Sequence, residues 1–121
     1  MFLDYPTFAT LLKEAKEYQD IDMYIAERGW QDWMNPFDVD EVAEILRLIY
    51  RMGGMSLRDI RTEMGYSRTD MSRLYGVASV TIQGWEYGKR NAPDYVTTLI
   101  YYTFFMEKMN KEKNDGHSKQ D

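Results

Sequence analysis

LRDIRTEMGYSRTDMSRLYGVASVTIQGWEYGKR, residues 57–90, is the stretch that decides the fold of this 121-residue chain. It reads as three short helices separated by two tight turns. Leu57, Ile60 and Met64 recur at the spacing of one helical face and form the inward side of the first helix. Met64-Gly65-Tyr66-Ser67 then carries a glycine where a helix must stop and the chain must reverse. Met71 and Leu74 stand three apart in the second helix, and Ser72 is small where two helices would cross. Gly76 sits at the second turn, and Val77 follows as a plug. Ile82 and Trp85, again three apart, turn the third helix back to the core.

In this order and spacing the features from Thr69 to Trp85 are the punctuation of a helix-turn-helix. Residues Leu57 to Pro93, about a third of the chain, resemble the Xre/Cro-type (lambda-repressor-like) DNA-binding domains. The resemblance is carried by Gly76-Val77, by Ser79-Val80-Thr81-Ile82, and above all by Trp85-Glu86-Tyr87-Gly88-Lys89-Arg90. That last run matches the family's ending to its recognition helix: an aromatic, a Glu, any residue, a Gly and a basic residue. The resemblance implies a compact all-α bundle that lays one helix in the DNA major groove. It implies a structural clamp between Arg61 and Glu86. It places Arg68 and Thr69, at the start of the second helix, near the DNA backbone, where a helix N-terminus and a cation both favour phosphate.

Ser79, Val80, Thr81, Gln83 and Gly84 would form the outward face of the recognition helix. Gln83 can pair with adenine N6 and N7, Ser79 and Thr81 can donate or accept, and Val80 can meet a thymine methyl. Tyr87, Lys89 and Arg90 fall on the following turn, suited to phosphates. One position departs from the family: Gly84 stands where a long polar side chain is frequent, and no arginine lies on the outward face of this helix.

Composition bounds the rest. Apolar residues make up 44% and aromatics 15%, enough for a packed core, so the chain reads as globular, one domain with an appendage. There is no cysteine, hence no disulfide frame and no thiolate metal site, which fits a reducing cytoplasm. Acidic residues come early in MFLDYPTFATLLKEAKEYQD and no long apolar core follows, so no secretory signal is expected. No run reaches the ~18 apolar residues of a membrane span. The net charge of −5 is unevenly spread. Residues 1–55 hold five basic and eleven acidic side chains, net −6; residues 56–92 hold six and four, net +2; residues 93–121 hold four and five, net −1. Positive charge is thus concentrated in the motif. Because duplex affinity comes largely from phosphate neutralisation, a +2 patch is thin, and dimerisation would double it.

Before the motif, Pro6 near Thr7 can open a helix that carries Phe8, Leu11, Leu12, Ala15 and Tyr18 at helical spacing. Asp20 and Asp22 can cap a short second helix with Ile21, Tyr24 and Ile25 on one face, ended by Gly29. The connector Trp30 to Pro36 is rich in aromatics. Its tryptophans either plug the core where helices cross or form an exposed partner-binding patch. Asp38-Val39-Asp40-Glu41 has the form of a capping box, and Val42, Ile45, Leu46 and Ile49 recur behind it until Gly53-Gly54. Ser56 can cap the first motif helix. After the motif a helix opens near Pro93 and is expected to run to about Asn110. Tyr95, Leu99, Tyr102, Met106 and Met109 form a 4-3-4-3 seam along it, the spacing of a paired helix. Val96, Ile100, Phe104 and Phe105 widen its apolar surface to nearly the whole circumference, so it needs cover on several sides. A second copy of the chain or the acidic N-terminal helices could supply that cover. The expected organisation is an acidic helical extension (1–55) packed on the motif, the motif with its C-terminal helix (56–110), and a polar, disordered tail (111–121).

Catalytic chemistry finds little footing. His117, the only histidine, lies in the tail, so no histidine-based triad or zinc site can be built within the chain. Paired carboxylates such as Asp38 and Asp40 read as helix caps. Gly53-Gly54 is followed by no Lys-Ser/Thr and is no phosphate loop. No metal, no cofactor and no enzymatic activity are expected. The expected function is transcription regulation by a dimeric, sequence-specific repressor of the kind common in phages and bacteria, acting on double-stranded DNA. The rival is a protein-interaction module on the same fold, as in some anti-CRISPR proteins and antitoxins of mobile elements. It would bind a basic protein partner through the acidic N-terminal half.

Overall fold

The computed structural model describes residues 3–119, with side chains described to residue 111. Among them are seven α-helices and no strand: α1 (Tyr5–Ala15), α2 (Ile21–Ala26), α3 (Val39–Gly53), α4 (Leu57–Met64), α5 (Arg68–Tyr75), α6 (Ser79–Glu86) and α7 (Asp94–Lys119). A single 3-10 turn, Asp32–Met34, lies between α2 and α3.

Short-range chemistry starts most of these helices. The Asp4 carboxylate accepts from the Thr7 N–H at 2.9 Å and the Asp20 carboxylate from the Asp22 N–H at 2.7 Å. Asp38 and Glu41 form the reciprocal pair read from the sequence, at 2.8 and 3.0 Å. Ser56 with Asp59, and Ser67 with Asp70, repeat the device at the starts of α4 and α5. Each satisfies N–H groups that a helix start leaves without partners. The Asp59 and Asp70 carboxyls are held below the ordinary range by the backbone N–H groups of Ser56 and Ser67, which they accept from, and then by the serine side chains. The ends are as local. Gly65 and Gly76 cap α4 and α5 at φ 77° and 66°, in the left-handed region that a Cβ penalises. Gly76→Ala is therefore expected to lower stability by about 1 kcal/mol, since its cost is the backbone conformation alone; nothing lies within 4 Å of the added Cβ. A thermal melt indistinguishable from wild type would contradict this.

The chain divides into two compact units, Met1–Gly54 with Phe105–Asp121, and Met55–Phe104. In the first, α1 and α2 pack on α3. Phe8, Leu11, Leu12 and Ala15 are buried along α1, and Val42, Ile45, Leu46, Ile49 and Met52 along α3. Phe8 meets Phe105 at a ring distance of 5.2 Å. Tyr24 is buried, and its hydroxyl donates to the Leu11 carbonyl at 2.8 Å, so the polar end of the ring is satisfied inside. The Arg28 guanidinium stands 4.5 Å over that ring and donates to Glu14 at 2.9 Å.

The tryptophans do not behave alike. Trp30 is 55% exposed, with its indole N–H on the Asn35 side chain at 2.7 Å, so it is no core plug. Trp33 is half-buried and donates to Gln31 at 2.8 Å. An indole whose N–H finds a partner beside it in the chain need not be driven into the core.

In the second unit, Leu57, Ile60, Met71, Ile82, Ile100, Tyr101 and Phe104 are buried. The Tyr101 hydroxyl donates to the Met55 carbonyl at 2.6 Å, and burial, then the nearby Asp59 charge, push its pKa up to about 12. On α5 the inward stripe is Met71 with the half-buried Ser72 and Tyr75, while Leu74 is exposed. The expected pairing of Met71 with Leu74 fails because α5 is rotated about its axis, which brings positions i, i+1 and i+4 inward. Helix α7 starts at Asp94 and continues past Asn110 to Lys119. The expected disordered tail, residues 111–121, falls on the last part of this helix as far as Lys119 and on residues 120 and 121, which lie outside the described residues.

Candidate functional site

Helices α5 and α6 pack together, and α4 touches α6. This packing brings Arg61 of α4, Arg68 at the first position of α5 and Glu86 at the last position of α6 into one cluster. Arg61 Nε donates to Glu86 Oε2 at 2.7 Å and its Nη2 to Glu86 Oε1 at 3.0 Å, a bidentate fork. Its third nitrogen, Nη1, donates to the Tyr66 carbonyl at 2.9 Å. The guanidinium therefore ties α6 and the α4–α5 turn to α4. The Arg68 Nε reaches the same Glu86 Oε1 at 3.2 Å. Its guanidinium lies 5.3 Å over the Tyr87 ring, with Nη2 donating to the Tyr87 hydroxyl at 3.3 Å. The Glu86 side chain is 0% exposed. Burial pushes its carboxyl up, but the hydrogen bonds and charges of Arg61 and then Arg68 outweigh burial and hold it below the ordinary carboxylate range.

Arg68 is thus part of the ion cluster, with its charge shared with Glu86. Thr69, beside it, is exposed on the first turn of α5. On α6, Val80 is 67% exposed and Gln83 is exposed, while Ser79 and Thr81 are half-buried. Gly84 does not sit open on the outward face: it is buried, and the aliphatic stem of Arg90 lies over it. Tyr87, Lys89 and Arg90 are exposed on the turn. Val80, Gln83, Gly84, Tyr87, Lys89 and Arg90 together line a recess of about 200 Å3. Ser79, Thr81, Arg68 and Thr69 lie outside that lining.

Two relations here escaped sequence reasoning. The third member of the cluster, Arg68, is 18 residues from Glu86 and carries no signature of its own. The cover of Gly84 by Arg90 has only a faint signal, a glycine inside a helix with a long side chain six residues on.

Along α7, Tyr95 and Leu99 are 67% and 44% exposed, whereas Tyr102, Met106 and Met109 are half-buried. The buried stripe runs through Ile100, Tyr101, Phe104 and Phe105. Among the described residues, no group of three or more His, Cys, Asp or Glu is placed to hold a metal ion, and no helix is long and apolar enough to cross a membrane.

Comparison with protein-family models, with curated proteins and with solved structures gave no match to this chain.

Proposed function

We propose that this chain is a DNA-binding regulator of the Xre/Cro type, with α5 and α6 as its helix-turn-helix and α6 as the helix that enters the major groove. The observation that carries the reading is the surface around α6. Val80 and Gln83 are exposed on one side of the helix, and Lys89 and Arg90 border the same recess. An apolar contact, an amide able to pair with adenine and two cations are the groups that base edges and phosphates require. Behind them, the Arg61–Glu86–Arg68 cluster fixes the end of α6 to α4 and α5. A reading helix needs this rigidity, because base contacts discriminate only if the helix cannot shift to suit the wrong sequence. Arg61 and Glu86 are structural in this reading, and Arg68, which shares Glu86 with Arg61, contributes less to phosphate binding than Lys89.

The test is selection of binding sites from random duplexes at moderate salt. A defined motif is expected. Gln83→Ala should relax preference at one or two positions. Lys89→Ala should weaken all sequences alike and reduce the slope of log affinity against log salt by about 1. Selection that enriches no motif would overturn sequence-specific recognition.

The second reading, a protein-interaction module, is favoured by one observation: Trp30 is more than half exposed within residues 1–55, which carry a net charge of −6. Co-purification of a basic protein through that face, lost in Trp30→Ala, would support it. In either reading no catalytic role is assigned.

A further inference from the structure

We infer that Arg90 is a base-reading residue that selects a guanine, delivered onto the outward face of α6 across Gly84. The inference rests on the DNA-binding reading above and concerns which side chain sets specificity. A glycine in a helix leaves a gap in the side-chain surface, and here the stem of Arg90 lies over that gap. A Cβ built on Gly84 would meet Arg90 Cδ at 3.5 Å, Cγ at 3.6 Å and Cβ at 3.9 Å. The methylene stem therefore lies over Gly84 at a distance where one methyl group would just reach it in ordinary van der Waals contact. Its root is fixed as well: the N–H groups of Lys89 and Arg90 both donate to the Gly84 carbonyl, at 2.9 and 3.2 Å. The turn after α6 is thus folded back on the glycine that its side chain covers.

The charge on Arg90 is unspent. Arg61 and Arg68 share Glu86, whereas the Arg90 guanidinium has no hydrogen bond or ion pair among the described residues. The side chain lines the recess with Val80 and Gln83, one turn apart on the exposed face of α6. A guanidinium has donors in a fork and no acceptor, so among base edges it fits guanine, whose O6 and N7 are adjacent acceptors. A stem already packed on the helix also loses less freedom on binding than a side chain waving from a loop. Arg90 thereby supplies the arginine that the α6 sequence itself lacks on its outward face.

The experiment is site selection with wild type, Arg90→Gln and Gly84→Leu, with each variant first shown to be helical and to melt cooperatively. Wild type should enrich a motif with one strongly preferred guanine. In Arg90→Gln that position should lose its guanine preference by about 5- to 150-fold, and shift towards adenine, while the rest of the motif persists. Gly84→Leu leaves Arg90 in place but fills the groove under its stem, and should lose preference at the same position. If Arg90→Gln lowers affinity for all sequences alike with the motif unchanged, Arg90 is a phosphate contact and the inference is overturned while sequence-specific recognition stands. If wild type enriches no motif, the DNA-reading function falls and the inference with it.

Discussion

Glu86→Ala is expected to lower stability by about 3 kcal/mol, a drop in melting temperature of roughly 10–15 °C. The magnitude follows from what the substitution strands. The Arg61 side chain is 13% exposed, and both nitrogens that grip Glu86 would lose a fully buried acceptor together. A cation left that far from water costs several times more than a surface pair is worth. Arg68, whose side chain is 29% exposed, can turn to solvent, so Arg68→Ala should cost far less. The ordering Glu86→Ala well above Arg68→Ala is the specific expectation, and equal effects would show that the fork is not the stabilising element. The pH dependence has a definite sign. Because the folded carboxyl titrates below its unfolded value, its contribution is complete above an unfolded pKa of about 4.3 and fades as pH falls through the lower folded value. The gap in melting temperature between wild type and Glu86→Ala should therefore be constant from pH 7 to about 5 and close in more acidic solution. A gap unchanged at pH 3 would contradict the placement of the charge.

On the proposed DNA-binding function, a Tyr95→Glu, Leu99→Glu double variant is expected to bind a selected duplex at least about 100-fold more weakly than wild type, while remaining folded. We propose that the chain acts as a homodimer paired through the face of α7 that runs from Tyr95 to Met109. The seam keeps the 4-3-4-3 spacing of a paired helix, and its two N-terminal members are the exposed ones. These two positions lie away from the buried stripe through Ile100, Tyr101, Phe104 and Phe105, so charges placed there spare the packed core. In a dimer the second α6 meets the neighbouring major-groove turn as an intramolecular event, and such linkage multiplies affinity by about 100- to 10,000-fold. It also joins two patches that each carry only +2. Light scattering should give a dimeric mass for wild type at micromolar concentration and a monomeric mass for the variant. A monomeric wild type would remove the dimer. A dimeric variant with unimpaired DNA binding would place the interface elsewhere.

The helices were legible in the sequence because what starts and stops them is local. Asp38 with Glu41 sits three residues apart in the chain and in the hydrogen-bonded pair alike. Gly65 and Gly76 had to end helices because only glycine takes those backbone angles without strain. The apolar periodicity of α1 and α3 fixed which faces are buried, since a stripe of Phe8, Leu11, Leu12 and Ala15, or of Val42, Ile45, Leu46 and Ile49, has one orientation that hides it. The Arg61–Glu86 pair was expected only through resemblance, and its 25-residue separation shows why periodicity could not supply it.

The tertiary structure decided the rest. Whether Leu74 or Tyr75 turns inward depends on how α5 is rotated against its neighbours, which an eight-residue helix with only Met71 and Leu74 as aliphatic positions does not encode. The sharing of Glu86 by Arg68, and the stem of Arg90 lying on Gly84, depend on how turns bring separate helices and loops together. Hydrogen bonds within a turn of helix are set by neighbours in the chain. Contacts that determine which charges are spent and which remain free are set by the path of the whole chain, and that is where the candidate specificity of this protein resides.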